Sequence, residues 1–104
     1  MKIAEQTSIM TSQEIGYLTQ TAHEFVLERA CDQLIGANIN PNDFWHEYVD
    51  YESGATKKRL HLPKRECFLA ISDDWYSNKA RAAVTEVFAK WERNDAEDEA
   101  NGSW

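Results

Sequence analysis

The sequence predicts a small α+β fold in which helices flank one β-hairpin. Two helical patterns occupy residues 12–36, two strand patterns surround the turn "ESGA", and two further helical patterns follow. The 104 residues suffice for one domain with one modest core. With 42% hydrophobic and 12% aromatic residues, we expect that domain to fold.

The first helical pattern opens with "TSQE" (Thr11 to Glu14), which is typical of a capping box, because a hydroxyl precedes a carboxylate by three residues. It predicts a helix from about Ser12 to Thr19. A second helix begins near Ala22 and ends at Gly36, which we expect to act as its C-cap. The stretch "IAEQTSIM" before the first helix predicts a short additional strand.

The hairpin is predicted from "YVDY" and "KKRLHL", which are strand-like segments on either side of the turn. Side chains alternate between the two faces of a strand. Leu60 and Leu62 therefore share one face, which we expect in the core. Lys57, Arg59 and His61 share the opposite face.

Two helices complete the predicted fold. Pro63 suits the start of a helix over Lys64 to Ile71, and Ser77 can cap a last helix that ends near Trp91. At helical spacing, one apolar stripe of this last helix contains Ala80, Ala83, Val84, Val87, Phe88 and Trp91. The order of elements describes a winged helix-turn-helix domain over residues 1–92 with a C-terminal amphipathic helix. Residues 93–104 are polar and acidic, and we expect a disordered tail.

The net charge of -7 disfavours general attraction to nucleic acid or to an anionic membrane. Part of this charge lies at the end of the chain, where residues 92–104 contain five acids and one base. Two cysteines, Cys31 and Cys67, are too few for a disulfide framework, and no signal peptide is apparent. We therefore expect a cytoplasmic protein with reduced thiols and no membrane association.

Three blocks in the same order resemble phage Rha-type regulatory proteins and phage antirepressor N-terminal domains. They are "MTSQEIGYLTQTAHEFVLERACDQLI", "YVDYESGATKKRLHLPKRECFLAIS" and "RAAVTEVFAKWE", and together they cover roughly residues 10–92. The resemblance implies a non-enzymatic role in phage or prophage gene control within a bacterial host. It also implies DNA binding, with a recognition helix over residues 22–35 and a wing over residues 57–61.

The expected recognition helix departs from the family pattern in its charge. Such helices usually present Arg or Lys, whereas here Glu24, Glu28 and Asp32 form one ridge at i, i+4, i+8 spacing. Only Arg29 and Gln33 stand at its edge. Phosphates would be repelled by this ridge, and base readout normally uses Arg, Lys, Asn or Gln. Either the face is simply solvated, or it meets a basic protein surface.

A second departure lies before the last helix, where the family usually has Gly before an aromatic residue. Asp73 and Asp74 precede Trp75 at this point. Trp45, Trp75 and Tyr76 occur in turn-like segments, and we expect them to be partly exposed. Exposed aromatics beside acids suit a protein interface, although small apolar clusters under loops would account for them equally well.

No pattern indicates catalysis, a metal site or a cofactor. "HEFVL" and "HEYVD" begin like a zinc-protease motif, but both lack the second histidine. Cys31 and Cys67 have no neighbouring ligand at metal spacing. His23 falls on the core-facing side of its helix, where we expect it to have a hydrogen-bond partner.

These observations favour a non-enzymatic inhibitor that binds a DNA-binding protein of the host or phage, in the manner of an antirepressor or an anti-CRISPR protein. Such a protein would compete with DNA for a basic groove. The expected partner-binding residues are Glu24, Glu28, Asp32, Asp73, Asp74 and Trp75.

The alternative is a transcription regulator that binds DNA directly, as a monomer or homodimer. Its basic residues would come from the recognition helix and from the wing, although wing cations also protect an edge strand from aggregation. The residues expected to contact DNA are Arg29, Lys57, Lys58 and Arg59. An enzyme is a third and weaker alternative.

Overall fold

One short strand precedes two helices, a hairpin follows them, and two more helices end the chain. The computed structural model describes the backbone of residues 8–101 and the side chains of residues 8–93. The elements are β1 (Ile9–Thr11), α1 (Ser12–Thr19), α2 (His23–Gly36), a 3-10 turn (Pro41–Phe44), β2 (Trp45–Val49), β3 (Thr56–Pro63), α3 (Lys64–Ala70) and α4 (Asn78–Asn101).

The three strands form one small antiparallel sheet in the order β1-β3-β2. With its four helices, the described part of the chain is a compact α+β fold, so the predicted α+β class is confirmed, whereas the winged helix-turn-helix arrangement stays a prediction. The short strand expected before α1 is β1, although residues 3–7 of that segment lie outside the described residues.

The capping box predicted for α1 is confirmed. Thr11 Oγ1 accepts a hydrogen bond of 3.1 Å from the Glu14 amide, and Glu14 Oε1 accepts one of 3.0 Å from the Thr11 amide. The helix ends at Gln20, whose φ of 56° turns the chain sharply. Gly16 permits this turn, because a Cβ there would lie 2.8 Å from the carbonyl oxygen of Thr21.

Helix α2 buries Val26, Ala30 and Leu34, as its helical pattern predicts. Its C-terminal end differs from the prediction. Gly36 is the last helical residue and not the cap, which is Ala37, and the left-handed conformation occurs at Asn38 with a φ of 62°. An asparagine tolerates this conformation better than most residues because its short polar side chain bonds locally.

The hairpin pairs β2 with β3, with Trp45 opposite Leu60. Leu60 and Leu62 are fully buried, which confirms the predicted alternation. Strand β2 both begins and ends earlier than "YVDY" indicated. It starts at Trp45 and stops at Val49, so Asp50 and the residue after it lie outside the strand. The Asp50 carboxylate accepts a hydrogen bond of 3.1 Å from the Glu52 amide, and this local bond competes with the strand.

The last two helices begin where their sequences predict. Pro63 is the N-cap of α3, and the Ser77 hydroxyl accepts a hydrogen bond of 3.1 Å from the Ala80 amide at the start of α4. Of the predicted apolar stripe of α4, Val84 and Phe88 are fully buried in the core. The backbone of α4 continues to Asn101, beyond the predicted end near Trp91. Residues 102–104 lie outside the described residues, and disorder of the tail stays a prediction.

The core lies between the inner face of the sheet and the four helices. Tyr76 is only 2% exposed, so the prediction that it is partly exposed is wrong. Its ring packs edge to face on Trp75, with 5.2 Å between the ring centroids. The largest fully buried side chains are Phe88, Met10, Ile15, Leu34, Leu60, Leu62, Val26 and Val84.

A buried hydroxyl joins three of these elements. The β1–β3 ladder ends with Thr11 opposite His61, so Ser12 would be the next partner of Leu60. The chain turns into α1 at Ser12, and its fully buried Oγ accepts the Leu60 amide hydrogen at 3.0 Å. The same Oγ lies 2.7 Å from Nε2 of His23, the first residue of α2. His23 thereby has the partner that its helix position predicted.

Replacing this hydroxyl tests its structural role. We expect Ser12→Ala to lower the free energy of unfolding by about 1–3 kcal/mol, because the buried Leu60 amide loses its acceptor. Urea unfolding measures the loss. The matched control is Ser53→Ala, whose exposed hydroxyl accepts a 3.2 Å bond that water can replace. A change in Ser12→Ala no larger than in this control would contradict the assignment.

Candidate functional site

The acidic ridge of α2 consists of Glu24, Glu28 and Asp32, and all three side chains are exposed. At 1.5 Å rise per residue, the ridge extends for about 12 Å along the helix. Among the described side chains, none of the three forms an ion pair within 4.0 Å. Their charge therefore faces solvent, as the sequence predicts.

Arg29, the cation of this helix, is held by a neighbouring loop. Its Nη1 donates a hydrogen bond of 3.0 Å to Oδ2 of Asp73, and both side chains are less than a third exposed. Its guanidinium also lies over the Trp75 ring, 4.1 Å from the ring centroid. A DNA contact by Arg29, as the alternative hypothesis expects, would have to displace both of these partners.

Asp73 organises the loop between α3 and α4. Its Oδ1 accepts the Trp75 amide hydrogen at 3.0 Å, and its carbonyl oxygen accepts bonds from Arg81 and Tyr76. The Trp75 amide, followed by Arg29, holds the pKa of the Asp73 carboxyl below its usual value. Of the two predicted aspartates, Asp73 is therefore turned toward the protein, whereas Asp74 is exposed.

An exposed aromatic pair lies beside the ridge. Phe25 and Trp75 are 47% and 48% exposed, and their ring centroids are 6.5 Å apart. Phe25 follows Glu24 directly and precedes Glu28 by one helical turn. The structure thus places the predicted Trp75 next to the predicted ridge. Sequence reasoning missed Phe25, although an apolar residue on the polar side of an amphipathic helix was a usable signal.

The basic residues of the hairpin have partners of their own. Lys57 Nζ lies 2.8 Å from Oδ2 of Asp50. Arg59 donates bonds of 2.7 Å to Gln13 and 3.1 Å to His61 Nε2, and it lies over the Tyr48 ring at 4.8 Å. Among the three basic residues predicted for the wing, Lys58 alone is exposed without a recorded ion pair in the described part of the chain.

The three histidines lie in the same region as Arg59. The His61 ring stacks on His46 with 4.0 Å between centroids, and its Nε2 accepts a bond from Arg59. Burial, followed by the charge of Arg59, lowers the pKa of His23. Burial, His46 and Arg59 together lower the pKa of His61. Both shifts favour the neutral form of the imidazole.

The described residues also bear on the requirements of a metal site and of a membrane-spanning helix. No three His, Cys, Asp or Glu side chains within residues 8–93 lie close enough together to hold a metal ion. Among the helices that the structure describes, none is both long enough and apolar enough to cross a bilayer.

The histidines predict a stability that depends on pH. Because the pKa of each histidine is lower in the folded protein than its ordinary value of about 6.5, the unfolded chain binds more protons near that pH. The contribution of these histidines to the free energy of unfolding is therefore fully present above about pH 7. It is lost as the pH falls through about 6.5 and below. Urea unfolding from about pH 7.5 to 5 measures this fall. We expect His23→Gln with His61→Gln to flatten the slope, whereas an unchanged slope would contradict the assignment.

The contact between Arg29 and Trp75 should restrict the motion of the loop between α3 and α4. We expect Arg29→Ala to accelerate amide hydrogen exchange of residues 73–76 by about two- to fivefold, the equivalent of one exposed cation–π contact. NMR-detected exchange measures this rate, and the Trp75 indole signal should shift. Arg65→Ala, at an exposed position on α3, serves as the control. Exchange rates that match this control would show that Arg29 does not hold the loop.

Neither a scan against protein-family models nor searches of curated proteins and of solved structures found a match to this chain.

Proposed function

We propose that this protein is a non-enzymatic phage or prophage inhibitor that binds a basic, DNA-binding protein through the acidic side of α2. The proposal depends chiefly on one observation: Asp73 and Trp75 hold Arg29, while Glu24, Glu28 and Asp32 remain exposed. The accessible charge of the helix face is therefore negative. Such a face attracts a basic surface and repels phosphate.

The charge density of the ridge limits what it can do alone. Duplex DNA carries one charge per about 1.7 Å of axis, whereas the ridge has three carboxylates over about 12 Å. A ridge with less than half of that density would compete poorly for a DNA-binding groove by charge alone. Contacts of another kind must contribute to affinity.

The aromatic pair supplies such contacts. Phe25 and Trp75 are half-exposed and border the ridge, and Arg29 and Asp73 hold Trp75 in place. Aromatic side chains that are already ordered lose little entropy on binding and are frequent anchors of protein interfaces. We assign affinity mainly to this pair, and steering and selectivity to the acids, including Asp74.

The arrangement of the elements supports a winged-helix-like scaffold for this role. Helices α1 and α2 are separated by three residues, and the β2–β3 hairpin follows them. On this proposal α2 occupies the position of a recognition helix and β2–β3 the position of the wing. An antirepressor or an anti-CRISPR protein in the cytoplasm of a bacterial host would act in this way.

Direct DNA binding is the weaker candidate. Arg29, Lys57 and Arg59 each have an intramolecular partner that a phosphate or base would have to displace. Lys58 would then carry most of the expected wing contact. One exposed lysine in the wing offers little against the repulsion between phosphates and the acidic ridge of α2.

Charge reversal on the ridge tests the proposal. We expect Glu24→Lys with Glu28→Lys to weaken binding of a protein captured from bacterial host lysate at least about tenfold, or about 1.4 kcal/mol. The capture is performed with and without nuclease, because a partner that needs nucleic acid would be lost on digestion. Circular dichroism checks that α2 still folds.

The matched control is Glu47→Lys with Glu86→Lys, which changes the net charge equally at exposed positions on β2 and α4. Equal loss in both double variants would mean that total charge, and not the ridge, determines binding. Retention of the partner by the ridge variant would contradict the proposal. Capture of DNA instead of protein, lost on nuclease treatment, would favour the regulator.

A further inference from the structure

A second apolar feature borders the acidic ridge on the side away from Phe25. It is an open groove of about 570 Å³ between the C-terminal half of α2, the segment after it and the start of β2. The groove is wide and open to solvent, which suits an inserted side chain of a partner protein better than an enclosed small ligand. Its lining includes Cys31, Ile35, Ile39 and Trp45, together with three asparagines of the segment after α2.

Ile35 connects the groove with the ridge. It is 61% exposed and also lines the groove. It lies three residues after Asp32 and seven after Glu28, so that it continues the same stripe of the helix. The distance along the axis from Glu28 to Ile35 is about 10 Å.

The chemistry of the groove limits its occupant. Its walls are formed by aliphatic, sulfur and aromatic side chains, with asparagines on its rim, and no charged residue lines it. It therefore suits an apolar side chain whose backbone can bond to the asparagine amides. The adjoining carboxylates, in contrast, favour cations. One ligand satisfies both features if its cations and its apolar residue are about two helical turns apart.

We propose that this groove receives a bulky aliphatic side chain from the same basic partner, so that the recognised segment is an amphipathic basic helix. This inference rests on the proposed function and specifies the chemistry of the partner. The cations of the segment face Glu28 and Asp32, and its aliphatic residue packs among Ile35, Ile39 and Trp45. Charge complementarity fixes the register, and the groove selects against a segment that carries charge alone.

A second copy of this chain fits the surface less well. Its basic side chains Lys57, Arg59 and Lys64 already contact Asp50, Gln13 and Glu92. Other exposed cations remain on each copy, but each copy also carries a net charge of -7, so two copies repel each other overall. Charge complementarity therefore favours a different protein.

Two synthetic peptides test the inference with the intact chain. One is an amphipathic helix of Lys and Leu, and the other has the same length and the same lysines with Ser in place of each Leu. We expect the Lys/Leu peptide to bind at least about tenfold more tightly, since it buries an aliphatic side chain in the groove. Calorimetry at low ionic strength measures both affinities.

Variants separate the contributions of the groove and the ridge. Ile35→Ser should weaken the Lys/Leu peptide about tenfold and leave the Lys/Ser peptide unchanged. Val49→Ser is the control, because Val49 is similarly exposed, at 56%, but lies on β2 away from α2. Glu24→Lys with Glu28→Lys should weaken both peptides.

Cys31 reports directly on occupancy. It lines the groove and is half-buried, whereas Cys67 is fully buried, so a thiol reagent reaches Cys31 first. Burial, followed by the charge of Asp32, raises the pKa of the Cys31 thiol, so labelling requires mildly alkaline solution. We expect the Lys/Leu peptide to slow labelling severalfold and the Lys/Ser peptide to leave it unchanged.

The outcomes distinguish the inference from the proposed function. Equal affinity for both peptides, with no effect of Ile35→Ser, would overturn the role of the groove and leave the proposed function standing. Failure of both peptides to bind would overturn the two together. Loss of binding in Ile35→Ser without any effect of charge reversal would overturn the link between groove and ridge.

Discussion

The fold depends on the single hydroxyl of Ser12, which accepts the Leu60 amide where the β1–β3 ladder would otherwise be broken. The chain leaves the sheet and enters α1 at this residue, so no backbone acceptor remains for Leu60. Because the hydroxyl also bonds to His23, it sets the start of α2 against the sheet. The direction of the acidic ridge therefore follows from a bond in the core, on the opposite side of the helix.

A second contact decides what the outer side of α2 offers to a partner. Arg29 would partly neutralise the neighbouring carboxylates if it were free, but Asp73 and Trp75 hold it against the loop before α4. The arrangement removes one cation from the accessible face and orders an aromatic ring beside it. The acidic and the aromatic parts of the candidate surface are thus two results of one packing arrangement.

Periodicity in the sequence predicted which elements form and which residues are buried, because Leu60, Leu62 and Phe88 follow the spacing of their strand or helix. It predicted the exposed ridge for the same reason. Contacts between distant segments left no such pattern. The pairing of Arg29 with Asp73 spans 44 residues, and Tyr76, expected to be partly exposed, is buried by packing that no local rule describes.

Stability alone does not account for the ridge. Glu24 is stabilised by the positive N-terminal end of the α2 dipole. Glu28 and Asp32 lie beyond the first turn, and each pair of carboxylates four residues apart destabilises the helix by about a few tenths of a kcal/mol. Solubility is served by acidic residues anywhere on the surface and does not require three of them in one ridge beside exposed apolar side chains. A ridge of one sign, with Phe25 and Trp75 on one side and Ile35 at its end, pairs exposed charge with exposed apolar surface. Burial of that surface against a basic partner would offset both the repulsion among the carboxylates and the exposure of the apolar side chains, which is the physical argument for the proposed binding role.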